Sequence, residues 1–577
     1  MRITTLLLLA GLLPFTLQAH AGDGRPTAAE LVFVNGNIHT MDPDRPAAQG
    51  MAVAHGRLIA VGSNREMRRF RGAKTRQIDL QGRTVLPGLF DAHVHAARGA
   101  MEARYFCNFS AQATPSEIAA AVKRCVARTI SGRWVIGGRW GSSFFSEHQI
   151  DSPREWLDEL SATVPIVLRD DSGHNAWANS AALAAAQIEA NTPDPEGGSF
   201  ARAADGQLTG LVFELGAEKL LAAVPLPSDD EWRESIGIAQ RTALSLGLVG
   251  LKEADTAENE VAAYHRADAR GELQTYVMTC INAFEDQASF QTAVDIARLE
   301  RIRDENRSAQ LDTGCVKFYL DGVPTPARTA AMLAPYRPDK AGHVTAGSVH
   351  VEAAKLARAI TDLDRRGFVV KMHAAGDGSV RAGLDAIAAA RRANGPGGAR
   401  HELGHAGFVD PADIGRFREL NAVAEFSPVI WYPSPIIDAV IDAVGERGRH
   451  YWPMRDLLAS GAPVAAGSDW PSVVPSMDPW SGIEAMVTRA DPSGARSGQL
   501  WPEQAITPAQ ALHIYTIDGA RALRRDADSG SIATGKSADF IVVDQDPLAV
   551  APSAIGDTRV METWLQGRLA YARENGD

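Results

Sequence analysis

Eight short apolar segments, spread over most of the chain, limit the possible fold more than any other feature of the sequence. Each has the length of a strand, and helical stretches such as 351–366 and 413–421 lie between some of them. Strands that alternate with helices are typical of a parallel sheet. The predicted strands are 84–93, 248–253, 275–281, 316–320, 368–373, 402–405, 422–426 and 463–466. Eight such units predict an α/β fold, a (β/α)8 TIM-type barrel.

The chain of 577 residues is too long for one ordinary core, so we expect further structure around the barrel. The gap between the first two predicted strands is too long for a loop and predicts a large insertion at about 99–246. Short strands near both chain ends, some with Asn-Gly or His-Gly turns, predict one small β-sandwich built from both termini. The expected domains are the sandwich at 22–83 and 525–577 and the barrel at 84–524.

The N-terminus has the pattern of a secretory signal peptide. Arg2 precedes a short apolar run, and Ala19-His20-Ala21 offers a cleavage site after Ala21. We therefore interpret 1–21 as a signal peptide and expect a periplasmic or secreted protein. A membrane anchor is the alternative, but the run is shorter than the roughly 20 apolar residues that span a bilayer. No later segment is long enough either, so no integral membrane segment is expected after cleavage.

The charge of the chain excludes two classes of partner. Without Arg2, 57 basic residues face 70 acidic ones, a net charge of −13. Such acidity argues against nucleic acid and anionic membranes. A small molecule is the expected partner, and the sequence leaves a homo-oligomer open.

The four cysteines fit an oxidising compartment. Cys107 and Cys125 lie close in sequence and could form a disulfide, or could be two unpaired thiols. Cys280 and Cys315 fall in apolar runs and are predicted to be small buried hydrophobes.

Two histidines at the end of the first predicted strand are the first sign of chemistry. His93 and His95 are separated by one residue, so on a strand they share a face and can bind one metal ion. An isolated pair of this kind is more often a chance surface or core feature. Other strands, however, end in potential ligands: His373, His405 and, after a Gly-Ser turn, Asp469. Catalytic residues of barrels lie at this carboxyl edge.

Lys317 lies within an apolar strand, where a buried cation is costly. One interpretation is an edge-strand lysine that reaches solvent. In the other, the amine reacts with carbon dioxide to form a carbamate, an anionic ligand that could bridge two divalent ions.

Taken together and in order, the motifs resemble those of the amidohydrolase superfamily of metal-dependent hydrolases. Within it they resemble the amidohydrolase-3 group, which includes N-substituted formamide deformylases. The resemblance covers nearly the whole mature chain, and its motifs lie at 90–95, 316–322, 373–377, 400–405, 467–471 and 530–540.

The resemblance implies a site with two divalent metal ions, for which zinc is the expected metal. The first ion would be held by His93, His95, carbamylated Lys317 and Asp469, and the second by Lys317, His373 and His405. Asp469 would also be the catalytic acid and base.

The sequence departs from the family pattern in two places. Relatives often carry Glu where this chain has Gly404, so a hydrogen bond that would orient His405 is expected to be missing or supplied elsewhere. The loop at 320–328 also differs from the usual glycine- and serine-rich loop, which implies a different substrate.

Some residues outside the ligand set are candidates for binding substrate. The resemblance places His174, Trp177 and Asn179 near the substrate, although capping and packing are the alternative roles. Trp431 adds aromatic surface, and Arg328 could bind a substrate carboxylate or simply be solvated.

The expected activity is hydrolysis of a carbon–nitrogen bond in an amide, N-acyl or N-formyl compound (EC 3.5). One alternative keeps the barrel but uses a single metal for deamination or for hydrolysis of a cyclic amide or ester. A second alternative is a barrel that binds a ligand without catalysis, since a fold does not prove turnover.

Overall fold

The computed structural model describes residues 28–110, 112–130, 132–141, 144–170, 175–195, 198–284, 293–325, 328–339, 342–472 and 474–574. The predicted signal peptide at 1–21 lies outside this part of the chain.

Eight parallel strands form one sheet in which neighbours follow the order of the sequence. Barrel strands 1 to 8 are Leu89–Val94, Leu248–Thr256, Tyr276–Asn282, Leu311–Tyr319, Val369–His373, Glu402–Gly404, Val423–Phe426 and Val464–Ala466. Strands 1 and 8 are joined at their ends, where the amide of Asp469 donates to the carbonyl of His93 at 2.7 Å. The amide of Ser468 donates to the Asp91 carboxylate at 3.1 Å. The predicted TIM-type barrel is therefore confirmed.

The first predicted strand, 84–93, is two strands. Thr84–Pro87 pairs with Phe540–Val543 outside the barrel, and only Leu89–Val94 enters it. The chain changes sheet at Gly88, where a β-carbon would lie 2.4 Å from Cγ1 of Val249. A residue without a side chain is therefore needed at the crossing.

Helices surround the barrel, and their apolar faces pack on its outer surface. The predicted helical stretches correspond to Ala353–Arg365 and Pro411–Leu420. The remaining helices of this layer are Ala96–Tyr105, Asp229–Ser245, Glu258–Ala269, Ile296–Asn306, Asp377–Asn394, Pro435–Val444, Met454–Ser460, Pro479–Thr488, Pro508–His513 and Gly519–Ala522. Shorter helical turns are Pro428–Ile430, Gly445–His450, Pro502–Gln504 and Ile514–Asp518.

Two sheets built from both ends of the chain form the predicted sandwich. One contains, in order, Arg57–Gly62, Gly50–Ala54, Leu31–Val34 and Arg76–Asp79. The other contains Arg568–Ala572, Val560–Leu565, Phe540–Val543, Thr84–Pro87, Asn37–His39 and Ala47–Ala48. Phe33 from the first sheet packs edge-on against Phe540 and Trp564 from the second, at 5.1 Å between ring centroids in each case. Two short helices at Asn64–Met67 and Arg68–Phe70 and a turn at Pro552–Ala554 complete this part.

The segment between barrel strands 1 and 2 has a sheet of its own. Its strands, in order, are Gly198–Arg202, Leu208–Glu214, Asn175–Ala178, Ile166–Asp170, Val135–Trp140 and Cys107–Asn108. Its helices are Pro115–Arg128, Phe144–Glu147, Pro153–Asp158, Ser180–Ala185 and Leu215–Leu221. Cys107 and Cys125 form a disulfide that joins the edge strand to the helix Pro115–Arg128.

Cys280 and Cys315 are buried, as predicted, but the expectation that they act simply as small hydrophobes is wrong. They face each other across barrel strands 3 and 4, with 4.2 Å between their Cα atoms, and form a second disulfide. The pairing depends on the register of two strands that are 35 residues apart in sequence, which the apolar pattern does not reveal.

No helix in the described part of the chain is both long enough and apolar enough to span a membrane.

Candidate active site

The potential metal ligands converge at the carboxyl ends of the barrel strands. His93 lies in strand 1 and His95 directly follows it, while Asp469 follows strand 8. Oδ1 of Asp469 lies 3.5 Å from Nε2 of His93 and 3.3 Å from Nε2 of His95. These three side chains offer ligand atoms that all lie within 4.8 Å of one another. Imidazole nitrogens with a carboxylate oxygen are a donor set that suits zinc.

His405 and His373 line the neighbouring side of the same rim. The ring centroid of His405 lies 4.8 Å from that of His93 and 4.6 Å from that of His373. Nδ1 of His405 is 3.9 Å from Oδ2 of Asp469. Nε2 of His373 lies 2.9 Å from the carbonyl oxygen of Gly322, so its Nδ1 is the nitrogen left for another partner.

Burial keeps His93 and His405 neutral, the form that binds metals. Burial, with Lys371 and Lys317 nearby, holds the pKa of His93 well below its usual value. Burial and the neighbouring His373 lower the pKa of His405 to about 3. For Asp469 burial alone would raise the pKa, but the adjacent histidines outweigh it and keep this pKa below the usual range.

The backbone of two potential ligands is in the left-handed region. Asp469 has a φ of 57° and His405 a φ of 69°. This conformation is uncommon for residues with side chains and clusters at functional sites. It turns both side chains sharply at the ends of their strands.

Lys317 is inside the barrel and does not reach solvent, so the edge-strand interpretation is wrong. Lys317 is 1% exposed, and it lies beside Lys371 of strand 5 in the register of the sheet. No carboxylate among the described residues forms an ion pair with its Nζ, which lies 4.9 Å from the Tyr319 ring centroid. Burial and the charge of Lys371 lower the pKa of Lys317 to about 8. A substantial neutral fraction is therefore available at mildly basic pH.

Sequence reasoning missed the charged side chains beneath this rim. Glu425 of strand 7 accepts from Nδ1 of His93 at 2.5 Å, and Lys371 donates to the same Glu425 oxygen at 3.1 Å. A lysine and a glutamate in apolar strand segments were the available signal, because a buried charge requires a partner.

Asp321, which follows strand 4, was also missed. Its carboxylate accepts from the backbone amides of Ala331, Ala375 and Gly376 and from the hydroxyl of Ser379. It thereby ties together the loops that follow strands 4 and 5, and places His373 with Nε2 3.6 Å from its Oδ1.

Two predicted substrate residues have the packing and capping roles that were their alternatives, and a third is buried. Trp177 is fully buried in the core of the insertion, where its indole donates to the carbonyl of Pro153 at 2.8 Å. Asn179 is also buried and caps the helix Ser180–Ala185. Trp431 is buried between Phe426, Trp452 and Arg489. The indole Nε1 of Trp431 has no hydrogen-bond partner among the described residues, so a role for Trp431 in binding substrate stays a prediction.

The other two substrate predictions have different outcomes. His174 lies outside the described residues. Arg328 is partly buried on the loop after strand 4, and its guanidinium lies 3.5 Å from the carbonyl of Pro338. A role for Arg328 in binding substrate stays a prediction.

Comparison with known proteins identifies the family. The family model described as "Amidohydrolase family" matches residues 76–571. The chain belongs to the amidohydrolase family. This membership confirms the resemblance to the amidohydrolase-3 group and the prediction of a hydrolase that acts on carbon–nitrogen bonds in small molecules.

Several amidohydrolase relatives align over almost the full chain. N-substituted formamide deformylase of Arthrobacter pascens is 28% identical over 94% of this chain and 98% of its own length. Protein LONG AFTER FAR-RED 3 of Arabidopsis thaliana is 29% identical over 94% of this chain and 92% of its own. Among solved structures, an uncharacterised metal-dependent hydrolase from Pyrococcus horikoshii OT3 superposes with a TM-score of 0.73 at 23% identity. The superposition covers 90% of this chain and 99% of the Pyrococcus chain, which confirms the fold.

Proposed function

We propose that this amidohydrolase is an exported, binuclear metal hydrolase that cleaves an amide, N-acyl or N-formyl compound. The observation that carries the proposal is the convergence of six side chains at one rim of the barrel: His93, His95, Lys317, His373, His405 and Asp469. The near full-length similarity to an N-substituted formamide deformylase supports the substrate class.

The donor set fits two divalent ions, for which zinc is the expected metal. His93, His95 and Asp469 would hold the first ion, and His373 and His405 the second, with Lys317 as a carbamate between them. Bound ions of this kind lower the pKa of water from about 15.7 towards 7 and polarise a carbonyl oxygen.

Asp469 would move the proton in the reaction. Its Oδ2, on the side of His405, would accept a proton from the attacking water as the new carbon–oxygen bond forms. The same carboxyl would then donate that proton to the leaving nitrogen as the carbon–nitrogen bond breaks. A positioned acid and base of this kind contributes about 10² to 10⁴-fold to the rate.

Export is supported by the disulfides as well as by the N-terminal sequence. All four cysteines of the chain are paired. Disulfides persist in oxidising compartments and are rare in the cytosol.

A mononuclear enzyme is the second candidate, because His93, His95 and Asp469 by themselves form a group within reach of one ion. Such an enzyme would catalyse deamination or hydrolysis of a cyclic amide or ester.

The test is a panel of N-formyl amines, N-acyl amines, cyclic amides and esters, assayed with metal-loaded protein and after chelation. The proposal expects the highest rates on the open-chain amides, loss of those rates on chelation, and loss again in Asp469→Asn. Asp546→Asn is the control, because Asp546 pairs with His39 in the sandwich. If Asp469→Asn leaves every rate unchanged, the proposal is wrong. Highest rates on cyclic amides or esters would favour the mononuclear candidate.

A further inference from the structure

The interior of the barrel contains a row of alternating charges that the proposed reaction does not use. It consists of Lys252, Glu402, Lys371 and Glu425, from strands 2, 6, 5 and 7. Lys252 Nζ lies 2.5 Å from Glu402 Oε1, and Lys371 Nζ lies 2.9 Å from Glu402 Oε2 and 3.1 Å from Glu425 Oε2. All four residues are at most 1% exposed. We call this set the interior charge row.

The interior charge row ends on a potential metal ligand. Oε2 of Glu425 accepts from Nδ1 of His93 at 2.5 Å, while the other ring nitrogen, Nε2, faces Asp469 at 3.5 Å. The hydrogen bond therefore fixes both the tautomer and the direction of the ring: the proton is on Nδ1, and the lone pair of Nε2 points to the rim. A carboxylate in this position orients a metal-binding histidine and raises its basicity.

Glu425 can take this role because its charge is compensated. An isolated carboxylate in the barrel interior would be too costly, but Lys371 neutralises it. Lys371 is in turn shared with Glu402, and Glu402 is paired with Lys252, whose Nζ also donates to the carbonyl of Ala522 at 2.9 Å. The row has no net charge, and it spans four strands of the barrel wall.

We propose that Glu425 is a positioning residue for the metal centre, and that the interior charge row holds it in place against His93. The inference rests on the proposed function, since it assigns the orientation of one ligand of that centre. Neither the resemblance nor the motif at 400–405 points to a carboxylate on strand 7.

The experiment titrates zinc into chelator-treated full-length protein. The variants are Glu425→Gln, which keeps the volume but removes the charge, and Glu425→Asp, which keeps the charge but withdraws it from His93. Glu484→Gln is the matched control, because Glu484 is also buried but accepts from the amide of Gly556, outside the row. Circular dichroism and thermal unfolding without metal report whether each variant folds.

Both Glu425 variants are expected to bind zinc about 10 to 100-fold more weakly than the wild type, with Glu484→Gln unchanged. Loading with cobalt(II) gives a second readout, since the visible absorption of the ion reports its ligand geometry. That spectrum is expected to change in the Glu425 variants and not in the control.

The zinc titration distinguishes failure of the role of Glu425 from failure of the metal centre. If the wild type binds zinc and both Glu425 variants bind it within twofold of the wild type, with unchanged cobalt spectra, the inference is overturned and the metal centre stands. If one of the variants does not fold, the other provides the comparison. If the wild type itself binds no zinc, the inference and the proposed function both fail.

Discussion

A β-carbon on Gly404 would lie 3.2 Å from Oε2 of Glu425 and 3.5 Å from Cε1 of His93. The glutamate that relatives often carry at position 404 would therefore press against Glu425 and His93, which would have to shift to admit it. Strand 7 supplies a carboxylate instead, and that carboxylate orients His93 of strand 1 rather than His405. The departure at Gly404 and the presence of Glu425 are thus two aspects of one arrangement.

Substitution of Gly404 tests this arrangement without changing any charge. In Gly404→Ala the new methyl group would push against the Glu425 carboxylate without removing it. We therefore expect zinc affinity to fall several-fold, less than the roughly 10 to 100-fold expected when such a partner is lost. Gly415→Ala is the control, since no atom lies within 4 Å of a β-carbon there. The control is expected to bind zinc normally and to be more stable by about 0.5–1 kcal/mol. Equal zinc affinity in both variants would contradict the arrangement.

The interior charge row also predicts how stability responds to mutation. Lys252→Met leaves Glu402 with one cation instead of two, and removing one partner of a buried ion pair costs about 3–5 kcal/mol. We expect a loss of this size in the urea unfolding of the metal-free protein. Lys252→Met combined with Glu402→Gln should recover part of it, because the excess negative charge left in the row is removed.

The exposed Lys123 of the helix Pro115–Arg128 provides the control for this measurement. Lys123→Met should change the free energy of unfolding by no more than about 0.5 kcal/mol. A loss in Lys252→Met no larger than that of the control would contradict the assigned role of the row.

The pairing of the cysteines can be counted directly. Protein purified without reductant and then denatured should show no free thiols, and after reduction it should show four, one for each cysteine. Because Cys280–Cys315 joins barrel strands 3 and 4, Cys280→Ala with Cys315→Ala should lower the stability of the protein by about 2–5 kcal/mol. Two free thiols in the unreduced wild type would mean that one of the two disulfides is absent.

The environment of Lys317 predicts a requirement for carbon dioxide. Its pKa of about 8 is lower than the ordinary lysine value of 10.5, so its neutral amine becomes abundant as the pH rises through 8. Only the neutral amine can form a carbamate. We therefore expect metal-free protein to regain activity with zinc faster at pH 9 than at pH 7, when dissolved carbon dioxide is held constant. These two pH values lie on either side of the pKa of about 8.

Carbon-13 NMR with labelled bicarbonate should show a carbamate carbon in the wild type that is missing from Lys317→Ala. Recovery of activity that is independent of bicarbonate would count against the carbamate.

The sequence was sufficient to predict the barrel strands, because their apolar residues stand out from the chain around them. Six of the eight predicted strands match barrel strands to within three residues at each end, because each is a short apolar run. A seventh, 316–320, begins five residues after the start of its barrel strand Leu311–Tyr319, whose first residues include the polar Asp312 and Thr313. The exception, 84–93, contains two strands, since an apolar run does not reveal where a chain changes sheets.

Contacts between distant strands were not predictable in the same way. The pairing of Cys280 with Cys315 depends on strand register, and the contact of Glu425 with His93 crosses the closed barrel between residues 332 positions apart. Trp177 shows the opposite case: the family motif suggested a substrate pocket, whereas the alternative of packing is the one seen, since Trp177 fills the core of the insertion.

In the proposed site six side chains hold two metal ions, and the metal content of the protein measures this most directly. Protein reconstituted with zinc and bicarbonate and then freed of excess metal should contain roughly two equivalents per chain, as two-metal hydrolase sites do. Lys317→Ala should contain clearly less. One equivalent that is unaffected by Lys317→Ala, or no retained zinc in the wild type, would contradict the account.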